Sequence, residues 1–400
     1  MTVVVVAGAL ANKPGNGGEA WVRLSWLLGL RGLGVETWFV EQIDPETLRA
    51  GAGRDVAWFE QVVGRFGFAE RAALLRSDGA VVCGPAREQV QEALARADLL
   101  LNLSGNLALE ELLRLPRRRA YVDLDPGYTQ LWHAAGALGD ALDRHEELLT
   151  VGLAIGRNGC RLPLGGRRWR PVPPPVPLEE WPACPPPSTT AGAPRSEAAA
   201  SPAPAAAPSP RFTTVASWRG GYGRVEHDGR LLGQKAHEFR RFAGVPRASA
   251  ASGATFEAAL AIDPGDRADA DRLADGGWQL VDPRAVAGDP DAFRRYVQGS
   301  LAELSPAQGV YVETRCGWLG DRTTRYLASG RPAIVQATDL PPELPCGEGL
   351  LTFATPEEAV AAAEAVLADP GRHACAALAL AQEHFDAERV VGGVLAELVA

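Results

Sequence analysis

Two carboxylates separated by one residue are the first candidates for chemistry in this sequence. Asp123 and Asp125 close an apolar stretch, and His133 follows shortly after them. Carboxylates at the end of a buried strand can act as a general base or bind substrate hydroxyls. Asp125 is therefore our first candidate for a catalytic base, followed by His133 and by Glu19. The alternatives are that Asp125 caps the next helix and that His133 is packed in the core.

The Asp-x-Asp pair could also hold a divalent metal ion. The sequence suggests no third ligand near it, so we expect no metal site and no cofactor.

A second candidate is the glycine-rich segment 13–19, between the first apolar run and a long amphipathic stretch. Gly17 and Gly18 would let backbone N–H groups approach a phosphate or a substrate at the start of a helix. The spacing is not GxGxxG, and Glu41 fits the acidic position of a dinucleotide fold only loosely. A plain turn that needs glycine is the alternative.

Basic residues in the second half of the chain could bind a diphosphate. Arg219 follows a predicted strand and Lys235 opens the next helix, although both could simply face solvent. Further along, segment 311–332 places a cluster of polar groups at a helix start, where free N–H groups favour phosphate. That cluster consists of Asp321, Arg322, Thr323 and Thr324.

The elements that must position these residues alternate between short apolar runs and amphipathic stretches. Uninterrupted apolar runs are typical of strands buried on both faces, which predicts parallel sheets covered by helices. The pattern predicts two doubly wound Rossmann-like domains that face a cleft, with the last helix free to pack back on the first domain. The predicted strands are 3–8, 35–41, 80–83, 98–104 and 119–125 in the first half, and 212–217, 256–262, 278–281, 309–313 and 332–336 in the second. The predicted helices are 18–32, 85–97, 107–113, 234–242, 266–274, 289–301, 320–329, 356–367 and 389–399.

Length and composition agree with two domains and exclude several classes of protein. The chain has 400 residues and a net charge of −9 without a basic stretch, so we expect no nucleic-acid partner. No apolar run approaches the length of a membrane span, and no signal peptide is readable. The six cysteines form no CxxC pair, which indicates reduced thiols and a cytoplasmic protein. Nine prolines and ten alanines among residues 182–210 predict a linker between domains 1–181 and 211–400.

Three segments resemble GT-B glycosyltransferases of the group 1, family 4-like kind. Residues 327–335 read LASGRPAIV, similar to the A-x-G-x-P helix-to-strand element of that family. Residues 17–34 resemble its N-terminal glycine loop and helix, and Trp218-Arg219 with Lys235 lie where those enzymes carry cations for the donor diphosphate. Segment 317–332, with GW-x-x-DR followed by YLASGRP, is similar to a bacterial subset of these enzymes.

This resemblance implies transfer of a sugar, of the hexosyl kind, from a nucleotide diphosphate donor to a hydroxyl of a small molecule or glycan. The second domain would bind the donor, the first would bind the acceptor, and closure of the domains would complete the site. Arg219, Lys235 and Arg322 would neutralise the leaving diphosphate, and backbone groups at Thr323 and Thr324 would hold a phosphate. The family's second glutamate of Glu-x7-Glu falls on Arg325 here, so both inverting and retaining chemistry stay open.

Three alternative functions remain at this stage. A GT-B-type sugar-nucleotide epimerase would use the same donor site without an acceptor. A dehydrogenase is disfavoured by the missing GxGxxG pattern. A non-catalytic partner protein that binds sugar nucleotides would bind without turnover.

Overall fold

Two β-sheets flanked by helices make up the protein, which is represented by a computed structural model that describes residues 1–185 and 210–399. The predicted linker lies outside the described residues except at its two ends. In the first strand, Val4 and Val6 face one apolar core, whereas Val3 and Val5 face another on the opposite side of the sheet. Burial on both faces therefore explains the unbroken apolar run.

The N-terminal sheet has eight strands in the order β4-β3-β2-β1-β5-β6-β7-β8, and its pairs are parallel except β3 with β4. Its strands are β1 Val3–Ala7, β2 Glu36–Ile43, β3 Ala72–Arg76, β4 Val81–Cys83, β5 Leu99–Leu103, β6 Arg119–Asp123, β7 Glu147–Thr150 and β8 Trp169–Pro171. The helices of this half are α1 Gly17–Gly32, α2 Pro45–Gly51, α3 Arg54–Arg65, α4 Arg87–Arg96, α5 Glu110–Leu113 and α6 Tyr128–Ala134.

The C-terminal sheet has six parallel strands in the order β13-β12-β9-β14-β15-β16, and β10 and β11 form a separate antiparallel hairpin. The strands are β9 Arg211–Ser217, β10 Val225–His227, β11 Arg230–Leu232, β12 Thr255–Ala261, β13 Trp278–Val281, β14 Ala302–Ser305, β15 Ala333–Gln336 and β16 Leu350–Phe353. The helices are α7 Lys235–Arg241, α8 Val245–Ala248, α9 Arg267–Asp275, α10 Pro283–Ala287, α11 Pro290–Gln298, α12 Gly309–Thr314, α13 Asp321–Ala328, α14 Pro356–Ala368, α15 Pro370–Leu380 and α16 Ala387–Leu398.

The predicted fold class, two doubly wound α/β units facing a cleft, is confirmed, but one strand was assigned to the wrong residues. Segment 309–313 is part of helix α12. The strand that pairs with β9 on the side opposite β12 is β14, which precedes α12 in the chain. The sequence conceals β14 because its Glu303 is charged and yet fully buried, paired with Arg322 from another element. Predicted helix 289–301 ends early, at Gln298, so that the chain can enter this strand.

The two halves touch on both sides of the cleft. On one side, α16 packs against α1, where the backbone of Ala387 lies so close that a Cβ on Gly29 would come within 2.9 Å of its carbonyl oxygen. On the other side, the N–H of Ala154 donates to the carbonyl of Cys316 at 3.0 Å, and the N–H of Leu153 to that of Gly317 at 3.2 Å. We call this second contact the main-chain link.

Candidate functional site

Two adjoining cavities lie between the sheets, at the carboxyl ends of their parallel strands, which is where open α/β sheets bind ligands. The N-side cavity, of about 400 Å³, is lined mainly by loops of the N-terminal sheet. The C-side cavity, of about 690 Å³, is lined by the ends of β9 and β12 and by α10 and α13. Six residues line both cavities, and we call them the junction: Glu19, Val22, Ser217, Lys235, Trp318 and Asp321.

A buried glutamate fixes the loop that follows β1. The backbone N–H groups of Leu10 and Ala11 donate to Glu41 at 2.7 and 2.6 Å, and that of Asn12 donates at 3.2 Å. Burial raises the pKa of Glu41 to about 7, against the opposing effect of these hydrogen bonds. The loop presents Asn12 and Lys13 to the N-side cavity. Because its carboxylate is occupied by this loop, Glu41 does not serve as the acid of a dinucleotide site.

Glu19 is an ionised carboxylate at the junction. It lies in the first turn of α1, pairs with Lys13 at 2.9 Å and accepts from the guanidinium of Arg23. Burial opposes its ionisation, but the charges of Arg23 and Lys13 outweigh that effect and lower its pKa to about 2. A carboxylate held in this state is unsuited to accept a proton near neutral pH, so the structure argues against Glu19 as a general base.

The two glycines of the predicted phosphate loop have different positions. Gly18 lines the C-side cavity, together with Gly15. Gly17 does not line either cavity, and a Cβ there would lie 2.1 Å from the carbonyl oxygen of Asp289. Gly17 therefore allows α1 to approach the start of α11, which is a packing role rather than a ligand contact.

Asp123, which ends β6, and Asp125, which follows it, do not point into the cleft together, although residues at i and i+2 of a strand share a face. Asp123 is fully buried and accepts hydrogen bonds from Thr129 at 2.7 Å and from Gln130 and Thr150 at 2.8 Å. These bonds leave Asp123 no free side for a ligand. Asp123 thus fixes the loop that carries Asp125.

Asp125 lines the N-side cavity and reaches toward the other half of the molecule. The phenol of Tyr222 donates to its carboxylate at 3.1 Å. Burial, then the negative charges of Asp123 and Glu19, raise the pKa of Asp125 to about 6. The N-cap of α6 is Gly127 rather than Asp125, so the capping alternative does not describe this side chain.

His133 does not join Asp125. Its ring lies beside Gly165, where a Cβ would come within 2.7 Å of the imidazole, and it lines neither cavity. Tyr128, on the same helix, faces the cleft and donates to Gln308 at 3.0 Å. Five residues separate the two, so a helix of 3.6 residues per turn places them on different faces.

Arg219 also lies outside both cavities. Its guanidinium forms a bidentate pair with Asp266, from the turn before α9, and is nearly half exposed. The loop that follows it turns at Gly220, with a φ of +78°, and brings Gly221 and Tyr222 to the N-side cavity instead. Arg219, predicted to bind the diphosphate, is thus already paired with the carboxylate of Asp266.

Lys235, which the sequence analysis proposed as a diphosphate contact, lies at the junction. It is 9% exposed, and among residues 1–185 and 210–399 its ammonium group has no ion-pair or hydrogen-bond partner. Burial, and then the charge of Arg322, lower its pKa to about 7. A buried amine without a partner is costly and points to an anionic ligand.

The start of α13 provides N–H groups, but not at the residues expected from the sequence. The N–H groups of Thr323 and Thr324 donate to the carbonyl of Gly320 at 2.9 and 3.4 Å, and both threonines are buried away from the cavities. The N–H groups of Asp321 and Arg322, the first two residues of α13, have no acceptor in the described part of the chain. The free donors of this helix therefore precede the predicted ones.

Arg322 lines the C-side cavity but is held by the sheet beneath it. Its guanidinium donates to Glu303 at 2.6 Å, to the hydroxyl of Ser305 and to the carbonyl of Val215. The charge of Glu303 matches that of Arg322. Arg322 can therefore contact a phosphate only while it stays paired with Glu303. Among the described residues that line the junction, Lys235 is the cation without a partner.

Arg325 supports a carboxylate in the cleft. It is fully buried, pairs with Asp321 four residues earlier, and donates to the hydroxyl of Ser25 on α1 at 3.2 Å. Asp321, which is 39% exposed at its side chain, lines both cavities. Arg325 thus fixes Asp321 from behind and ties α13 to the opposite half.

Aromatic side chains form one wall of the N-side cavity. Trp318 stacks on Tyr311 with ring centroids 4.6 Å apart, and Tyr222 packs edge-on against Trp132 at 4.7 Å. The sequence pattern does not identify Tyr311, because it predicts segment 309–313 as a strand rather than a helix. Four polar side chains of this cavity were also not predicted, because they belong to no motif: Asn12, Ser104, Asn106 and Gln308.

Residues 1–185 and 210–399 contain neither a metal-binding cluster nor a membrane-spanning helix. No cluster of three or more His, Cys, Asp and Glu side chains there is arranged to hold a metal ion. No helix there has the length and apolar character needed to span a membrane.

Comparison with known proteins gives similarity in structure alone. No family model matches the sequence, and no curated protein matches it. Among solved structures, the chain is similar to Anabaena Alr3699/HepE in complex with UDP and glucose (TM-score 0.55, 10% identity, 100% of both chains). It is also similar to an alpha-glucosyltransferase in complex with UDP and a 13-mer DNA (TM-score 0.58, 10% identity, 100% of both chains).

A third similar structure is AviGT4, a glycosyltransferase involved in avilamycin A biosynthesis (TM-score 0.51, 13% identity, 99% of this chain and 97% of that one). The protein has the GT-B fold. Identities near 10% extend this likeness to the arrangement of the two sheets and the cleft between them, and not to activity.

Proposed function

We propose that the protein is a glycosyltransferase that moves a sugar from a nucleotide diphosphate donor to a hydroxyl acceptor. The observation that carries this proposal is the junction, where the unpartnered, buried ammonium of Lys235 lies between two cavities. A donor needs a site for a nucleoside diphosphate, an acceptor needs a second site, and the reacting atoms must lie between them. The UDP complexes of two proteins with the same fold support this reading.

The C-side cavity is the site for the nucleotide. Its volume of about 690 Å³ is within the usual range for ligand pockets, and it lies at the strand ends of the C-terminal sheet. The free N–H groups of Asp321 and Arg322 and the ammonium of Lys235 then meet the diphosphate. Negative charge grows on the diphosphate as the bond to the sugar breaks, and these donors stabilise it there.

The N-side cavity is the site for the acceptor, with Asp125 as the base. In a direct displacement the acceptor oxygen bonds to the anomeric carbon and passes its proton to Asp125. The electron pair of the broken carbon–oxygen bond leaves with the diphosphate. With its pKa raised to about 6, Asp125 is ionised at neutral pH and yet basic enough to accept this proton. This course inverts the anomeric carbon.

The first test is thermal unfolding in the presence of UDP, GDP, dTDP, ADP or NAD at millimolar concentration. A ligand at about 100 times its Kd stabilises the folded protein by roughly 2.7 kcal/mol, which gives a visible shift. We expect one nucleoside diphosphate to stabilise the protein and its sugar conjugate to be consumed with release of that diphosphate. Stabilisation by NAD alone, or by no ligand, would contradict the proposal.

A second test uses the scarcity of lysine. Lys13 and Lys235 are the two lysines of the sequence, and both line the N-side cavity. Pyridoxal 5′-phosphate followed by borohydride should label Lys235, because its lowered pKa leaves much of the amine unprotonated near pH 8. The nucleoside diphosphate that stabilises the protein should protect Lys235. Labelling that this diphosphate leaves unchanged would place the diphosphate elsewhere.

A further inference from the structure

Two acid–arginine pairs of the same design face the junction from opposite halves of the molecule. Glu19 is in the first turn of α1 and pairs with Arg23, while Asp321 opens α13 and pairs with Arg325. In each pair the arginine follows the acid by four residues. This spacing places both side chains on one face of the helix.

In both pairs the arginine is buried behind the carboxylate. The side chains of Arg23 and Arg325 are 6% and 0% exposed, whereas those of Glu19 and Asp321 are 34% and 39% exposed. Arg23 therefore holds Glu19 ionised, and each arginine fixes its carboxylate in place. The carboxylates are the more exposed partners, although Arg23 and Arg325 also line the N-side cavity. Helix N-termini add to this preference for negative charge.

An independent observation shows that the junction is built for a ligand. Lys235, unpartnered and more than nine-tenths buried, lines the same two cavities as the two acids. One ammonium group thus accompanies two carboxylates in a space that must also take a diphosphate. The diphosphate uses the ammonium, so the acceptor positions that the arginines leave open on the two carboxylates suit groups that donate hydrogen bonds and carry no negative charge.

Resting on the proposed function, we infer that the junction is the subsite of the transferred sugar and that Glu19 and Asp321 select a neutral, hydroxylated sugar. Their carboxylates accept hydrogen bonds from sugar hydroxyls, and the ring of Trp318 covers an apolar face of the sugar. A sugar that carries its own carboxylate is excluded by like charge. A divalent cation is a poor occupant, because each acid already has a basic partner.

The test compares donors that differ only in the charge of the sugar. Calorimetric titration measures the Kd of UDP, UDP-glucose and UDP-glucuronate, and likewise UDP-galactose and UDP-galacturonate. If the panel of diphosphates selects GDP, then GDP-mannose and GDP-mannuronate replace them. We expect the neutral sugar nucleotide of a pair to bind at least tenfold more tightly than its uronate.

Glu19→Gln should reduce that preference at least threefold by raising the affinity for the uronate, since the amide keeps the shape and removes the charge. Asp321→Asn alone would leave the buried guanidinium of Arg325 without its carboxylate partner, so it is combined with Arg325→Met. This double variant should also reduce the preference for the neutral sugar nucleotide. Glu110→Gln is the matched control, because Glu110 pairs with Arg114 at the same spacing on an exposed surface and should keep the wild-type ratio. Melting temperatures identify any variant that fails to fold.

The outcomes distinguish failure of the sugar-selection inference from failure of the proposed function. Equal or tighter binding of the uronate, or a preference that both junction variants leave unchanged, overturns the inference while the proposed function stands. Failure of every nucleoside diphosphate to bind overturns the proposed function and the inference with it.

Discussion

Replacing Asp125 with asparagine should stabilise the protein while it slows turnover. Burial and the charges of Asp123 and Glu19 raise the pKa of Asp125 from 3.8 to about 6, so the folded state resists its ionisation. A shift of roughly two units corresponds to about 3 kcal/mol, an upper value because the side chain is partly exposed. Asparagine removes the charge and keeps the size of the side chain. The gain in free energy of unfolding should therefore reach up to about 3 kcal/mol at pH 8.

The sign of the pH dependence makes this prediction specific. A raised carboxyl pKa means that the folded state binds more protons than the unfolded state between about pH 4 and pH 6. The penalty of ionised Asp125 is thus present above pH 6 and is lost below pH 4. The melting temperature of Asp125→Asn should exceed that of the wild type at pH 8, by roughly 2–4 °C per kcal/mol, and the difference should vanish near pH 4.

The assay is thermal unfolding followed by circular dichroism from pH 4 to pH 8, with release of nucleoside diphosphate measured on the same samples. Loss of the base should lower kcat by about 100-fold or more. Asp140→Asn is the control, because Asp140 belongs to an exposed pair with Arg144 and should change the stability by less than about 0.5 kcal/mol. A variant less stable than the wild type at pH 8, or a loss in kcat under tenfold, would refute the reasoning.

Three further predictions concern the same region. Tyr222→Phe removes a hydrogen bond that lowers the pKa of Asp125, so the acidic limb of kcat/KM should move to higher pH, by about one unit at most; a shift to lower pH, measured between pH 4.5 and 8.5, would contradict this. Lys235→Met should weaken diphosphate binding at least tenfold without lowering the melting temperature. In the wild type, an anion that binds to an amine of pKa about 7 should cause proton uptake, which calorimetry in two buffers detects. Lys235→Met should abolish this proton uptake. Gly17→Ala should cost about 1–3 kcal/mol in urea unfolding, since its Cβ meets the carbonyl of Asp289, whereas Gly64→Ala, in open space on α3, should be neutral or slightly stabilising.

The fold could be predicted where an apolar run stands out from its neighbours. Strands β3, β7, β8 and β16 have no counterpart in the prediction, and β14 was missed because a buried charge interrupts it. Strand β1 is a continuous apolar run, β5 is one apart from Asn102, and β6 has an apolar centre at 120–122. The predicted bounds of these three strands lie within two residues of the observed ones. Strand β14 contains Glu303, whose burial depends on Arg322 from another element. Such a long-range ion pair has no signature in a window of neighbouring residues.

The site was predictable at strand ends and helix starts, which the order of elements locates. Asp125, Gly18, Lys235 and Asp321 all line the cleft. The sequence could not tell which of two neighbours faces the ligand, because a distant partner decides it. Arg219 is taken by Asp266, which arrives from a turn 47 residues later in the chain.

The main-chain link between residues 153–154 and 316–317 has a consequence for the rate of the proposed transfer reaction. Gly317, with a φ of +69°, permits the approach, since a Cβ there would lie 2.5 Å from the nitrogen of Ala154. Trp318, at the junction, follows directly, so the segment that lines the junction also carries the link. Wide opening of the cleft therefore requires the two amide hydrogen bonds of the link to break, together with the nearby bond from the N–H of Arg161 to the carbonyl of Thr314. Ligand in the junction should slow the exchange of the link's two amides with deuterium. Product escape would then be limited by a local unfolding event, with the amides of Leu153 and Ala154 as its reporters.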